Sequence, residues 1–74
     1  MGKLPSCKGS EVRRVLERAG WQLFRSSKHL IFKKEGREEM VTVPNHPSKD
    51  LKPGTLRSIL KAAQISEEDF MNLR

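Results

Sequence analysis

The 74-residue chain has a single cysteine, Cys7. One thiol excludes an internal disulfide and is too few for a thiolate-rich zinc cluster, which points to a fold held by packing in a reducing compartment. No stretch approaches the roughly 18 apolar residues that span a bilayer, so no membrane partner is expected. The N-terminal residues lack the apolar core of a secretory signal, and the expected location is the cytoplasm. Gly2 to Ser6 fits the loose pattern for N-terminal myristoylation, but Pro5 makes it a poor substrate. Repeats, low-complexity tracts and internal linkers are also lacking, so residues 1–74 are expected as one domain. A domain this short has one small core and little room for an enclosed active-site cavity, which leaves any chemistry to an open face.

Positive charge is what the chain has in surplus. Fifteen Lys and Arg against nine Asp and Glu give a formal net charge of +6. Residues 1–34 hold nine basic and two acidic side chains, and residues 35–74 hold six and seven. The positive field therefore belongs to the N-terminal half. A basic face attracts polyanions, because neutralising phosphates releases condensed counterions, and RNA or DNA is the commonest such partner. Charge alone is equally consistent with Lys and Arg that merely keep a helix face solvated.

The apolar pattern predicts an α+β fold in the order α-β-β-β-α. From Gly9, the residues Val12, Val15, Leu16 and Ala19 recur at helical spacing, with Glu11, Arg13, Arg14, Glu17 and Arg18 on the other side, and Gly20 ends the helix. Trp21–Arg25 and His29–Lys33 read as two strands of a hairpin, and Glu39–Val43 as a third strand that Pro44 terminates or leaves at an edge. A second helix opens at Pro53 with Leu56, Ile59, Leu60 and Ala63 as its stripe. Ser66 caps a last short helical turn that folds Phe70 and Leu73 back on the core. Two helices with one apolar stripe each cover one face of a three-stranded antiparallel sheet and leave the other face open.

Side chains alternate along a strand, so His29, Ile31 and Lys33 share one face and Leu30, Phe32 and Lys34 the other. Histidine as a residue type exchanges its proton near neutral pH. Beside fixed cations it is suited to proton transfer at a phosphodiester, with the developing negative charge held by Lys or Arg. In RNA the 2′-hydroxyl supplies the nucleophile, so such a site needs no metal and no cofactor. From spacing alone, the commoner reading of a lone histidine at a strand end is a solvated surface residue, and composition does not decide between the two. His46 reads as a turn residue, and two histidines and one cysteine without ligand spacing define no metal site. Trp21, Phe24 and Phe32 have the chemistry to stack on bases, but in so small a domain they are expected in the core with at most one exposed.

The whole pattern resembles the HicA toxin family. The resemblance rests on Gly9-Ser10-Glu11-Val12 leading into the first helix, Ala19-Gly20-Trp21 at its end, and the histidine opening the second strand. It rests further on Val41-Thr42-Val43-Pro44-Asn45-His46 and on Leu51-Lys52-Pro53-Gly54-Thr55-Leu56-Arg57-Ser58-Ile59-Leu60. It implies a fold like the double-stranded-RNA-binding domain and a metal-independent endoribonuclease that cleaves mRNA and halts translation. It also implies control by a HicB-type antitoxin and a catalytic role for His29 as general acid or base. Ser27 and Lys28 stand where the family carries a Gly-Ser or Gly-Gly pair, and Leu30 replaces a second histidine, so a less tightly bent turn is expected.

The reading of the faces, rather than the resemblance, assigns the cations. Lys28 and Lys33 are the candidates for phosphate stabilisation, and Arg13, Arg14, Arg18 and Arg25 those for the RNA backbone. Two alternatives stay open: an RNA-binding module of the same fold that does not cut, and a subunit whose basic face meets only an acidic protein.

Overall fold

In the computed structural model, which describes residues 7–46 and 48–74, the amphipathic stripe of the N-terminal half forms helix α1, Gly9–Arg18. Its Gly9, Val12, Val15 and Leu16 are buried. The Glu11 carboxylate accepts from the backbone N–H of Lys8 at 3.5 Å, half of a capping box at the N-terminus. At the other end Gly20 takes φ 96°, its N–H bonds the carbonyl of Glu17, and the N–H of Trp21 bonds that of Leu16. This pair of bonds is a Schellman closure, and the left-handed residue it needs is the glycine expected to stop the helix. The Gly2–Ser6 stretch lies outside the described residues.

Three antiparallel strands follow: β2 Gln22–Ser26, β3 His29–Lys33 and β4 Val41–Pro44, in the order β2-β3-β4. The third strand starts two residues later than its sequence suggests. The β3·β4 ladder begins at the Phe32–Val41 pair, so Glu39 and Met40 have no partner on β3. Glu39 instead bonds Arg37 at 3.1 Å, whose guanidinium also reaches Gln64 at 3.0 Å. Pro44 closes β4 as an edge strand, where its missing N–H costs no ladder bond in the sheet interior.

A second ladder has no counterpart in the sequence reading. Cys7–Lys8, β1, pairs antiparallel with Asp50–Leu51, β5, and brings the buried Cys7 opposite the buried Leu51. Two-residue bridges carry no alternation, which is why periodicity misses them.

Helix α2, Pro53–Ala63, begins with proline in its first turn and buries Leu56, Ile59, Leu60 and Ala63. Together with α1 it covers one side of the sheet, sealing Leu30, Phe32, Val41 and Val43 in the core. The short helical turn expected after Ser66 is a seven-residue helix, α3 Glu67–Leu73. The Ser66 hydroxyl accepts from the N–H of Asp69 at 3.0 Å and caps it, and Phe70 is fully buried. Arg18 donates to the carbonyl of Leu73 at 2.9 Å, and Arg74 bonds Glu11 at 3.0 Å, so α3 is strapped to α1 from both sides.

The Arg74 guanidinium holds the Glu11 carboxyl below its ordinary value of 4.5, and the Lys8 backbone N–H acts in the same direction. A carboxyl lowered in the folded state contributes stability above its unfolded value and loses it as pH falls through the folded value. Urea midpoints are therefore expected to drop as pH is lowered through and below 4.5, and Arg74→Ala to flatten that part of the profile while lowering stability at neutral pH. An unchanged slope in the variant contradicts the strap.

Candidate nucleic-acid interface

His29 opens β3, the middle strand, and pairs across the ladder with Pro44 of β4. Its neighbour Leu30 is buried and faces Ser26 and Val43 on the flanking strands. With Leu30 inside, the pleat directs the imidazole outward, and His29 is exposed.

The turn that delivers His29 is pinned from one side. The backbone N–H of Asn45 donates to the carbonyl of Lys28 at 3.2 Å, and the Asn45 side-chain amide donates to the carbonyl of Ser27 at 2.6 Å. The N–H of Ser27 donates to the carbonyl of His29 at 3.1 Å. The residues Ser27 and Lys28 close this connection without positive φ, which among the described non-glycine residues belongs only to Gln64. The small pair expected from the resemblance is thus not required by backbone sterics here. Asn45 reads from sequence as a plain turn residue, and its amide becomes visible as a clamp only when β4 is laid beside the hairpin.

A cleft of about 240 Å³ opens at this end of the sheet, lined among others by Arg13, Arg14, Leu30, Pro44 and Asn45. Arg13 and Arg14 line it from the helical side together with Glu17, and it comes to His29 only through Leu30, its buried chain neighbour, and Pro44, its ladder partner; the imidazole itself is not in the lining. Arg13 also bonds Glu17 at 3.4 Å on the exposed helix surface, a pair that solvent screens and a phosphate can displace. Among the described residues, Arg14, Arg25, Lys28 and Lys33 have no carboxylate within 4.0 Å.

The remaining candidates lie farther off. Lys33 ends β3, four residues from His29, or about 13 Å along the strand. Its ammonium sits 4.4 Å from the centroid of the Phe24 ring. Arg25 stands opposite Ile31 on the open face. Arg18 is engaged with Leu73 at the α3 end of α1. The structure thus sets Lys28 next to His29 at the pinned turn, places Arg13 and Arg14 in the cleft on the helical side of the same sheet end, spreads Arg25 and Lys33 along the open sheet face, and sets Arg18 apart.

Other groups are not arranged for chemistry. Burial pushes the Cys7 thiol up from its ordinary 9.0, against the opposing pull of Arg74, which leaves it an unreactive core residue. The exposed His46 serves its turn, with its N–H on the carbonyl of Pro44 and its carbonyl accepting from Lys49. Among the described residues no group of three His, Cys, Asp or Glu side chains is placed to hold a metal ion. A second cleft, of about 310 Å³, lies over Trp21, Gln64 and Asn72 and contains no histidine.

Two helices over one face of a three-stranded meander, with the other face open, place the chain in the class of α+β domains built like the double-stranded-RNA-binding domain. The family model described as HicA toxin of bacterial toxin-antitoxin matches residues 9–65, which is most of the chain and includes α1, the whole meander and α2. The chain belongs to this family of toxins, whose members act with a cognate antitoxin. Comparison with curated proteins gave no match. Among the described residues no helix is long and apolar enough to cross a membrane.

The clamp yields a direct test. Asn45→Asp keeps the shape but removes the donor and sets a carboxylate against the Ser27 carbonyl. It is expected to cost about 1–3 kcal/mol and to raise backbone mobility at Ser27–His29 in nuclear relaxation measurements. Mobility equal to that of the native chain contradicts the clamp.

Proposed function

We propose that the chain is the RNA-cleaving toxin of its pair, a metal-independent endoribonuclease that cuts mRNA in the cytoplasm and so halts translation, with His29 as general acid or base. One observation carries the reading. His29 is exposed on the end of the central strand, at a turn pinned by Asn45, and Pro44, its ladder partner, lines a cleft that also holds Arg13, Arg14 and Glu17. Preorganised cations around a mobile proton are what phosphodiester cleavage requires.

The reaction balances without a further reagent. The 2′-hydroxyl of the RNA loses its proton and its oxygen attacks the adjacent phosphorus. The bond from phosphorus to the 5′-oxygen breaks, leaving a 2′,3′-cyclic phosphate and a 5′-hydroxyl. One proton is taken from the 2′-oxygen and one is given to the 5′-oxygen. A single histidine supplies one of these transfers and water the other. Lys28, beside His29, and Arg14, neither with a carboxylate within 4.0 Å among the described residues, would hold the non-bridging oxygens as charge builds there. Arg13 and Arg25 would hold the flanking backbone.

The same surface explains control by a HicB-type antitoxin. A partner with an acidic surface that covers His29 and the Arg13–Arg14 cleft would be steered in quickly by the surplus positive charge and would exclude RNA.

Induced in bacteria, the chain is expected to arrest growth and fragment mRNA. His29→Ala is expected to remain folded by circular dichroism and do neither, and co-expressed antitoxin is expected to restore growth. Equal toxicity of the native chain and the alanine variant sinks the catalytic role of His29. Salt-sensitive RNA binding without fragmentation by either would replace it with a binding module that does not cut.

A further inference from the structure

We infer that Phe24 is a base-stacking platform on the open sheet face, which holds a nucleotide neighbouring the cut in single-stranded RNA. The inference rests on the reading of this surface as an RNA site and adds to it a residue that determines how the substrate is seated.

A single exposed apolar side chain needs no explanation in general. Phe24 differs because the backbone is rearranged to present it. The β2·β3 ladder pairs Leu23 with Phe32 and then Arg25 with Ile31, so Phe24 is an extra residue in a β-bulge. Plain alternation would let only one of two consecutive residues face outward. The bulge turns both Phe24 and Arg25 to the open side, which is the kind of re-aiming for which bulges recur next to functional sites.

The ring is also held in place. The Lys33 ammonium lies 4.4 Å from its centroid, a cation–π contact that orients the ring from one side, and Phe24 still keeps 62% of its surface exposed. The ladder places Gln22, Arg25, Ile31 and Lys33 on this face with His29, Thr42 and Pro44, and none of these residues is a carboxylate. An aromatic ring among free cations suits a single strand, because bases stack on the ring while phosphates meet the cations, and double-stranded RNA offers no exposed base face to it.

The register gives the spacing. Phe24 stands level with the Ile31–Phe32 step, two to three residues along β3 from His29 and one strand across, or about 9 Å away. That separation suits a base next to the scissile phosphate and not the nucleotide being cut.

The test uses the full chain carrying His29→Ala, so that binding is read without cleavage, and single-stranded RNA oligonucleotides bearing one 2-aminopurine at successive positions. At one position the fluorescence is expected to be quenched on binding. Adding Phe24→Ala is expected to weaken binding roughly tenfold and abolish the quench, with Phe24→Trp restoring both. Because Phe24 is uncharged, the salt dependence should keep its slope, whereas Arg25→Ala should reduce the slope by about 0.7. Unchanged affinity and quench in Phe24→Ala overturn the platform while leaving the RNA site standing. Unchanged RNA binding with lost antitoxin binding assigns Phe24 to the protein interface instead and also overturns it. No RNA binding by the His29→Ala chain itself overturns both the platform and the RNA reading.

Discussion

Leu30 and Phe32 are packed beneath α1 and α2, and their burial decides which way every other residue of β3 points. Side chains alternate with a period of two, so holding these two inside sends His29, Ile31 and Lys33 outward, and a slip of one residue would bury the histidine and expose the core. The two helices thus do more than stabilise the sheet. They set the register that points His29 outward, and because they occupy one face only, the other remains open to solvent. A chemistry whose nucleophile arrives with the substrate is compatible with an open face.

Around this register the site is assembled by neighbours that are remote in sequence. Asn45 reaches back to Ser27 and Lys28 and fixes the turn that carries the histidine. Arg13 and Arg14 come from the helical layer and line the cleft at the same end of the sheet. The cations farther away have other occupations: Arg18 and Arg74 strap α3 onto α1, and Arg37 bridges Glu39 and Gln64. The net charge of +6 therefore overstates the positive surface that a polyanion meets, and its distribution matters more than its sum.

Much of this is legible in the residues themselves. The stripe from Val12 to Ala19 and the one from Leu56 to Ala63 each carried a helix, Gly20 and Pro53 marked boundaries, and the alternation of β3 placed His29 outside. What escaped has a common physical cause: it depends on pairing rather than on local pattern. The two-residue β1·β5 ladder has too few residues to show a period. The start of β4 is set by where β3 ends, which Glu39 and Met40 do not encode. The bulge that exposes Phe24 is a property of two strands together, and the role of Asn45 appears only when β4 lies against the turn. Family membership, shown by the match over residues 9–65, agrees with the resemblance carried by the motifs around Val41–His46 and Leu51–Leu60.

The central claim is that the exposed imidazole at the head of β3 moves a proton at an RNA phosphodiester. The most direct measurement is the single-turnover rate of cleavage of one RNA oligonucleotide by the purified chain in the presence of a chelator, beside His29→Ala with its RNA affinity measured separately. The account predicts a cyclic phosphate end on the product and a rate lower by roughly 10²–10⁴-fold in the variant, at unchanged affinity. Cleavage by His29→Ala at the native rate, or cleavage by the native chain only when a divalent ion is supplied, would contradict it.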